Sequence, residues 1–403
     1  MSGIYIHIPF CKQACSYCDF YFVTKSVQKE DFVSSLIQEI AALEGHLFTE
    51  EVVRSVYFGG GTPSLLTSDQ LERIMAELER VFTLEVDELT IEMNPDNVTP
   101  DYLMSLKACG FDRISMGVQS FSEKSLSFMN RAHNRDQALK ALDDIVASSF
   151  KNYTVDLIYG LPNQTKSELQ EDIDQLMEFD PPHISAYALT IEHNTRLAKQ
   201  VELGKVKPAD DDHVVNQMDL LAESLKNYSL YRYEVSSFAK EGFQAKHNQI
   251  HWNHGNYIGL GPGAHSFWWP KSSEEKKKLI GYGLGFSKGS SSEKEVALRW
   301  SNPKDLMAYI HKKNDYQQKI RTLIEPVNES SLAEEYIWLG LRTSRGFDHT
   351  LLLDLYKFEF NTKQHVRLKK LVKEGKISQS GDRFSLTTEG VRLADYIALD
   401  LLS

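Results

Sequence analysis

Short apolar runs rich in β-branched and aromatic residues alternate with stretches of helical periodicity through the first half of the chain. The runs cover residues 4–9, 55–58, 88–93, 113–118, 153–159 and 183–191, and the segments 30–47, 68–81, 134–149 and 167–179 between them repeat apolar positions every three to four residues. The succession predicts six strand–helix units. Consecutive parallel strands need crossovers of one hand, so the fold class is α/β, either an open doubly wound sheet or a partial (β/α)6 barrel. In both, ligands gather beyond the strand ends. Glu92, Gln119 and Asp156 stand at or near the ends of successive apolar runs. One such residue is a turn former, but three in register predict a site.

The pattern changes after residue 191. An acidic helix over 210–228 and a strand over 231–238 lead into a segment dense in His, Trp and Gly. A polar stretch over 270–295, containing EEKKK and KGSSSEK, predicts an exposed insertion or mobile loop. The last hundred residues are mainly helical, and end in a basic helix over 364–374, a hairpin over 377–386 that turns at Gly381-Asp382, and a helix. That order is winged-helix-like, and in an acidic chain it predicts a packing or docking module rather than a DNA reader. Three units are expected: a core over 1–230, the His/Trp/Gly-rich segment with its insertion over 231–300, and a smaller, mainly helical C-terminal domain over 301–403.

Composition adds exclusions. With 41% hydrophobic and 25% charged residues, the 403-residue chain is an ordinary globule of two or three domains. A net charge of −11 argues against a general nucleic-acid surface, which needs a dense Lys/Arg face. The opening MSGIYIHIPF lacks the features of a signal peptide, and no apolar run approaches the ~20 residues that span a bilayer. A cytoplasmic protein is expected, with room for peripheral membrane contact.

Cysteine placement changes the picture more. Cys11, Cys15 and Cys18 fall on one short stretch directly after the first run, while Cys109 stands alone at the end of a helical segment, where a small buried hydrophobe is expected. This distribution is wrong for a disulfide framework and right for a metal site. A tight loop with the spacing C-x3-C-x2-C can wrap three thiolates around one corner of an iron–sulfur cubane. The fourth iron is then left open to a substrate or cofactor. The alternative is a structural zinc site completed by a histidine such as His7. Zinc sites usually pair two separated C-x2-C knuckles, and a second knuckle is missing from the sequence.

The triad, written CKQACSYC, resembles the signature of the radical S-adenosylmethionine (SAM) superfamily. One strand later, FGGGTP at 58–63 is similar to the glycine motif of that family, where the missing Cβ atoms let the backbone approach SAM. The resemblance implies a partial (β/α)6 TIM-like barrel, a [4Fe-4S] cluster on Cys11, Cys15 and Cys18, and SAM chelating the open iron through its amino and carboxylate groups. It further implies that an electron from the reduced cluster cleaves the sulfonium C–S bond. Matched motif by motif, Tyr5, Gly60 and Glu92 are implied in holding a first SAM. Tyr17, Gly61, Thr62, Gln119, Arg131, Asp156 and Ala188 match positions that hold a second, with Asp156 suited to ribose hydroxyls and Arg131 to a carboxylate.

Across nearly the whole chain, EMNPD, ISMGVQSF, NRAH and VDLIYGLP extend the resemblance to the oxygen-independent coproporphyrinogen III oxidases and their sister family, the HemW haem chaperones. The oxidase pattern carries a further cysteine two residues after the triad, where this chain has Asp19-Phe20. The chaperones carry H-N-x-x-Y-W, and this chain reads His247-Asn248-Gln249-Ile250-His251-Trp252. Both features favour the chaperones. His251 replaces a tyrosine, and of the two only imidazole readily ligates haem iron. The bland alternative for this segment is a packed aromatic loop with solvent-facing histidines. The resemblance therefore implies haem as cargo near His247 and His251, apo-haemoproteins such as respiratory enzymes as acceptors, and a small electron-donor protein. Two other functions stay open: decarboxylation of porphyrinogen propionates by a 5'-deoxyadenosyl radical, and a non-enzymatic iron–sulfur scaffold or regulator.

Overall fold

Six strands lie side by side in chain order and run parallel: β1 (Ser2–Ile8), β2 (Val53–Gly60), β3 (Leu84–Met93), β4 (Arg113–Gln119), β5 (Asn152–Tyr159) and β6 (His183–Ala188). The computed structural model of the chain describes residues 2–25, 27–281, 284, 294–311 and 323–403. Crossover helices start at side-chain caps written into the sequence. Thr67 and Gln70 form a reciprocal capping box before Ser68–Val81, as do Asn134 and Gln137 before Arg135–Ala147 and Thr165 and Glu168 before Lys166–Met177. Each such cap contributes about 1 kcal/mol by satisfying N–H groups that the first turn leaves free. Leu71, Ile74 and Leu78 of the first of these helices are fully buried in the main core, at helical spacing.

The strands are not apolar throughout. Side chains alternate across a sheet, and Ile4, Ile6, Ile8, Val56, Phe58, Ile91, Ile114, Met116, Val155 and Ile184 supply the core beneath the helices. The opposite positions are polar: Tyr5 and His7, Ser55 and Tyr57, Glu88, Thr90 and Glu92, Arg113 and Ser115, Thr154 and Asp156, His183, Ser185 and Tyr187. Many of these bond to one another across strands. Tyr57 donates to Glu92 at 2.8 Å, Ser115 to Asp156 at 3.3 Å, and Thr154 meets both His183 (2.6 Å) and Ser185 (3.2 Å). The inner face is thus a polar wall rather than a packed apolar plug.

The sheet curves into a partial barrel. Between β1 and β7 (Tyr231–Glu234) lie β2 to β6 and β8 (Ser237–Ala239), and seven ladder steps of a flat sheet would span roughly 34 Å. Yet one short helix, Lys246–Trp252, touches both ends: His247 lies 6.4 Å from Tyr5 and Trp252 lies 5.8 Å from Tyr233, ring centre to ring centre. A seven-residue helix is only ~10 Å long. Its first turn is held by Glu88, which accepts from Lys246 N–H at 2.9 Å and His247 N–H at 3.0 Å. This helix closes the inside of the barrel from one end.

The middle segment does not stand apart. The expected strand over 231–238 is the β7–β8 hairpin, with β8 antiparallel to β6. At the other edge β9 (Tyr257–Leu260) pairs parallel with β1, and β10 (His265–Trp268), β11 (Glu295–Ser301) and β12 (Leu323–Asn328) follow antiparallel. The boundary placed between 300 and 301 therefore falls inside β11, and one sheet of twelve strands continues to residue 328. Open sheet edges invite further pairing, and strands from beyond residue 230 cover both edges of the six-strand core. Two other bounds shift: the run over 183–191 leaves the sheet at Ala188, and the helix expected over 30–47 ends at Ala41. Of the expected insertion, EEKKK lies on the helix Ser273–Gly281, while most of KGSSSEK lies outside the described residues.

The C-terminal unit has its own core, built from Leu332, Ile337, Leu341, Phe347, Leu352, Leu371, Phe384, Ile397 and Leu401, and joined to the sheet through Phe267, Ala297 and Val327. Its helices are joined by a small sheet of β13 (Phe347–Asp348), β14 (Ile377–Ser380) and β15 (Arg383–Leu386), ordered β13-β15-β14. The basic helix is Thr362–Lys373. Among the described residues no helix is long and apolar enough to cross a membrane.

Candidate functional site

The loop after β1 carries Cys11, Cys15 and Cys18, and neighbours distant in sequence fix its shape. Its base is closed by Val23 N–H to Pro9 O (2.6 Å) and Cys11 N–H to Val23 O (3.0 Å). Its middle is pinned by Ser16 N–H to Met129 O (3.0 Å), Asn130 to Ala14 O (2.7 Å), and Lys12 to Asp96 (2.7 Å). All three cysteines are free and half-buried. Burial pushes the Cys11 thiol up to about 11 and Cys18 to about 12, so only an adjacent cation would hold them as thiolates. Arg131 begins to supply that charge: it donates to Cys15 Sγ at 3.3 Å, to Asn94 at 2.6 Å and to Gly117 O at 2.8 Å, while its buried Nε has no partner. Thr62 approaches Cys11 at 3.7 Å.

These donors fit an iron–sulfur cluster. Among the described residues no group of His, Cys, Asp or Glu side chains is arranged to hold a single ion, whereas a cubane asks for one thiolate on each of three irons. His7, the histidine that the zinc alternative would use, is already engaged. Its Nε2 donates to Tyr21 O at 2.8 Å, and its Nδ1 accepts from Tyr5 at 3.2 Å.

The glycine turn is tight for reasons within the protein. Gly60 has φ +106°, and a Cβ there would lie 2.5 Å from the His7 ring; at Gly61 it would meet the Phe10 and Ile8 carbonyls at 2.7 and 2.9 Å. The Gly60 N–H donates to Glu92 at 3.0 Å. Burial pushes Glu92 up to about 7, with the Tyr57 and Gly60 hydrogen bonds opposing, and likewise Asp156 to about 6. Tyr17 packs by the Cys loop against Leu126, Met129 and Leu161. Gln119 ends β4 in a left-handed conformation, φ 70°, beside a register shift, which stores strain at this rim. Ala188 ends β6, paired with Tyr159. Most residues matched to SAM thus lie on loops and strand ends at one mouth of the barrel, with Tyr5 and Asp156 within β1 and β5. Asn94, Tyr57 and His7 also stand among them. Their signal was the alternation along β1 to β3, where the positions opposite the core residues are polar.

The four histidines of the dense segment part company. His247 is 3% exposed, bonds Ser55 through Nδ1 at 2.9 Å and stacks on Tyr57 at 5.0 Å; its Nε2 is buried without a partner. His254 is buried against Tyr356 (3.0 Å) and Glu335 (3.6 Å). His265 is exposed at the start of β10. His251 opens onto a cavity of about 280 Å³, which it lines with Tyr187, Glu234, Ser236, Asn248, Trp252 and Arg342. Burial lowers His251 to about 4, which keeps its imidazole neutral. Tyr187, at the end of β6, also lines this cavity; burial pushes its hydroxyl up, and the charges of Asp156, Glu234 and Glu92 add to that. His247, offered by the sequence as a haem ligand together with His251, is buried inside the barrel and does not line this cavity.

Comparison with known proteins agrees with this geometry. The radical SAM superfamily matches over residues 5–176. The heme chaperone HemW of Lactococcus lactis is 29% identical over 398 residues, covering 98% of this chain and 96% of the relative, and that of Bacillus subtilis is 28% identical over 401 residues, covering 98% of each. The heme chaperone HemW of Escherichia coli is 36% identical over 266 residues, 65% of this chain and 69% of the relative. Among solved structures, the Escherichia coli coproporphyrinogen III oxidase HemN, a radical SAM enzyme, superposes with a TM-score of 0.78 at 21% identity over 99% of this chain and 89% of that one, which establishes a shared fold. Radical SAM proteins are built on a [4Fe-4S] cluster and SAM, which is the chemistry that the Cys loop and the polar rim around it accommodate. With identity above one third across more than two thirds of the Escherichia coli relative, the chain belongs to the HemW heme chaperone family of the radical SAM superfamily.

Proposed function

We propose that this chain binds haem and passes it to apo-haemoproteins, with a [4Fe-4S] cluster on Cys11, Cys15 and Cys18 and SAM lodged at the rim formed by the glycine turn, Glu92, Gln119, Arg131 and Asp156. The observation that carries this reading is the cavity of about 280 Å³ where His251, a neutral imidazole, stands with Tyr187, Trp252 and Arg342. A neutral ring is the form that ligates iron. The cluster, when bound, supplies an open iron and an electron. The chain's own groups do the rest. Arg131 donates to Cys15 Sγ and holds it in place, Gly60 and Tyr57 fix the Glu92 carboxylate in one orientation, and Glu88 holds the helix that presents His251. Asp19-Phe20 leaves the position after the triad without the sulfur that the oxidases carry.

Haem titration of the anaerobically reconstituted protein tests the proposal. A saturable Soret change that His251→Ala weakens and transfer of the haem to an apo-haemoprotein are expected. No saturable change, or formation of protoporphyrinogen from coproporphyrinogen with SAM and reductant, would turn the reading toward the oxidase or the scaffold.

A further inference from the structure

The cavity is lined by one cation, and it comes from the other core. Arg342 follows the helix Glu329–Leu341 of the C-terminal unit, yet it lines the barrel cavity with His251 and Tyr187. The chain there is docked onto β7 by backbone bonds: Val235 N–H to Arg342 O at 2.9 Å and Ser344 N–H to Tyr233 O at 2.9 Å. The guanidinium is one-third exposed and bonds Asp395 at 2.7 Å through Nη1. Asp395 lies on the last helix, Ala394–Leu402, and its own side chain is 62% exposed, so the pair is weak and exchangeable. A guanidinium has five donors in a planar fork, and one carboxylate does not use them all. Against it in the same cavity stands the carboxylate of Glu234. At about 280 Å³ the space falls at the small end of ligand sites, enough for one edge of a large ring with its acidic arm rather than the whole ring.

We propose that Arg342 is a specificity residue that reads a carboxylate arm of the cargo while His251 faces its metal, with Asp395 holding the guanidinium until the arm arrives. This rests on the haem-binding reading above and adds to it the side of the tetrapyrrole that enters first. Glu234 opposes a second carboxylate, so a single acidic arm is admitted.

The test compares the affinity of the reconstituted full-length protein for iron protoporphyrin IX and for its dimethyl ester, which keeps the ring and metal but has lost both charges. The wild type should bind the free acid roughly tenfold tighter than the ester, the scale of one charge-assisted pair. R342Q should erase that preference by weakening the acid and leaving the ester unchanged, and R342K should keep part of it. Asp395→Asn and Glu234→Gln, which remove competing negative charge, should widen it, and they give the same sign test if R342Q does not fold. Equal binding of acid and ester by the wild type, or an R342Q preference equal to that of the wild type, overturns this inference alone. Binding of neither form removes the haem-chaperone reading, and this inference with it.

Discussion

Two regions of this molecule are dense in metal-ligating residues, and they use them in opposite ways. The loop after β1 keeps three thiols half-buried and free, held in place by bonds to residues more than a hundred positions away. The helix Lys246–Trp252 and the strands after it bring four histidines together in sequence, but two are sealed in packing, one is on the surface and one opens on the cavity. Density of ligand residues marks a site only where the fold leaves their lone pairs unspent. On the loop the backbone satisfies its own hydrogen bonds with neighbours and spares the sulfurs. Along the histidine segment Ser55 and Tyr356 take one ring nitrogen each of His247 and His254, and packing buries the other away from the cavity.

The sharpest break of this contrast is expected at the cysteines. Cys11→Ala should abolish the iron–sulfur absorbance on anaerobic reconstitution, while Cys109→Ala, whose thiol lies beside Ser68 O at 3.7 Å and away from the loop, should leave it intact. Equal loss in both variants would mean that the loop is not the cluster site.

Next in size is the difference between two histidines on one helix. His247→Ala removes a ring packed on Tyr57 and strands the buried Ser55 hydroxyl, at a cost of about 3 kcal/mol. His251→Ala faces the cavity and should cost about 1 kcal/mol or less, while weakening haem binding. Urea unfolding of both apo variants measures this, and equal destabilisation would erase the distinction between packing and site.

A further expected effect is one of pH, and it has opposite sign in the two regions. Glu92 is raised to about 7, so between the ordinary carboxyl value of 4.5 and 7 the folded chain keeps a proton that the unfolded chain has lost. Its unfavourable contribution is absent at the acid end and grows as pH rises, toward about 3 kcal/mol. His251 and His254 are lowered to about 4, so below 6.5 the unfolded chain takes up protons that the folded chain refuses, and stability falls as pH drops. Glu92→Gln, which keeps an acceptor for Tyr57 or Gly60, should flatten the alkaline limb of the apo protein's stability between pH 5 and 8 and leave the acid limb alone. An unchanged alkaline limb would show that Glu92 ionises freely.

Much of the architecture was legible in local signals. The six strand runs, the capping pairs Thr67/Gln70, Asn134/Gln137 and Thr165/Glu168, and the cysteine spacing are each contained within a few residues, and each acts locally. The glycine turn was legible as a motif but not in its cause, because the atoms that forbid a Cβ at Gly60 and Gly61 belong to His7 and the backbone of 8–10. The boundary expected at 300 falls inside β11, because pairing between strands distant in the chain is not written in the sequence of either partner alone. β9 joins β1 from more than two hundred and fifty residues away.

The sequence by itself determined that this chain builds parallel strands with a sulfur-bearing loop after the first, since periodicity, caps and short spacings are local physics. Only the tertiary structure decided which polar side chains face one another: that His247 bonds Ser55 inside the barrel while His251 lines a cavity, and that Arg342 of the C-terminal unit lines the same cavity. The physical reason is curvature. Seven ladder steps bend until one short helix touches both ends, and the accumulated twist of a whole sheet is a property that no stretch of sequence carries alone.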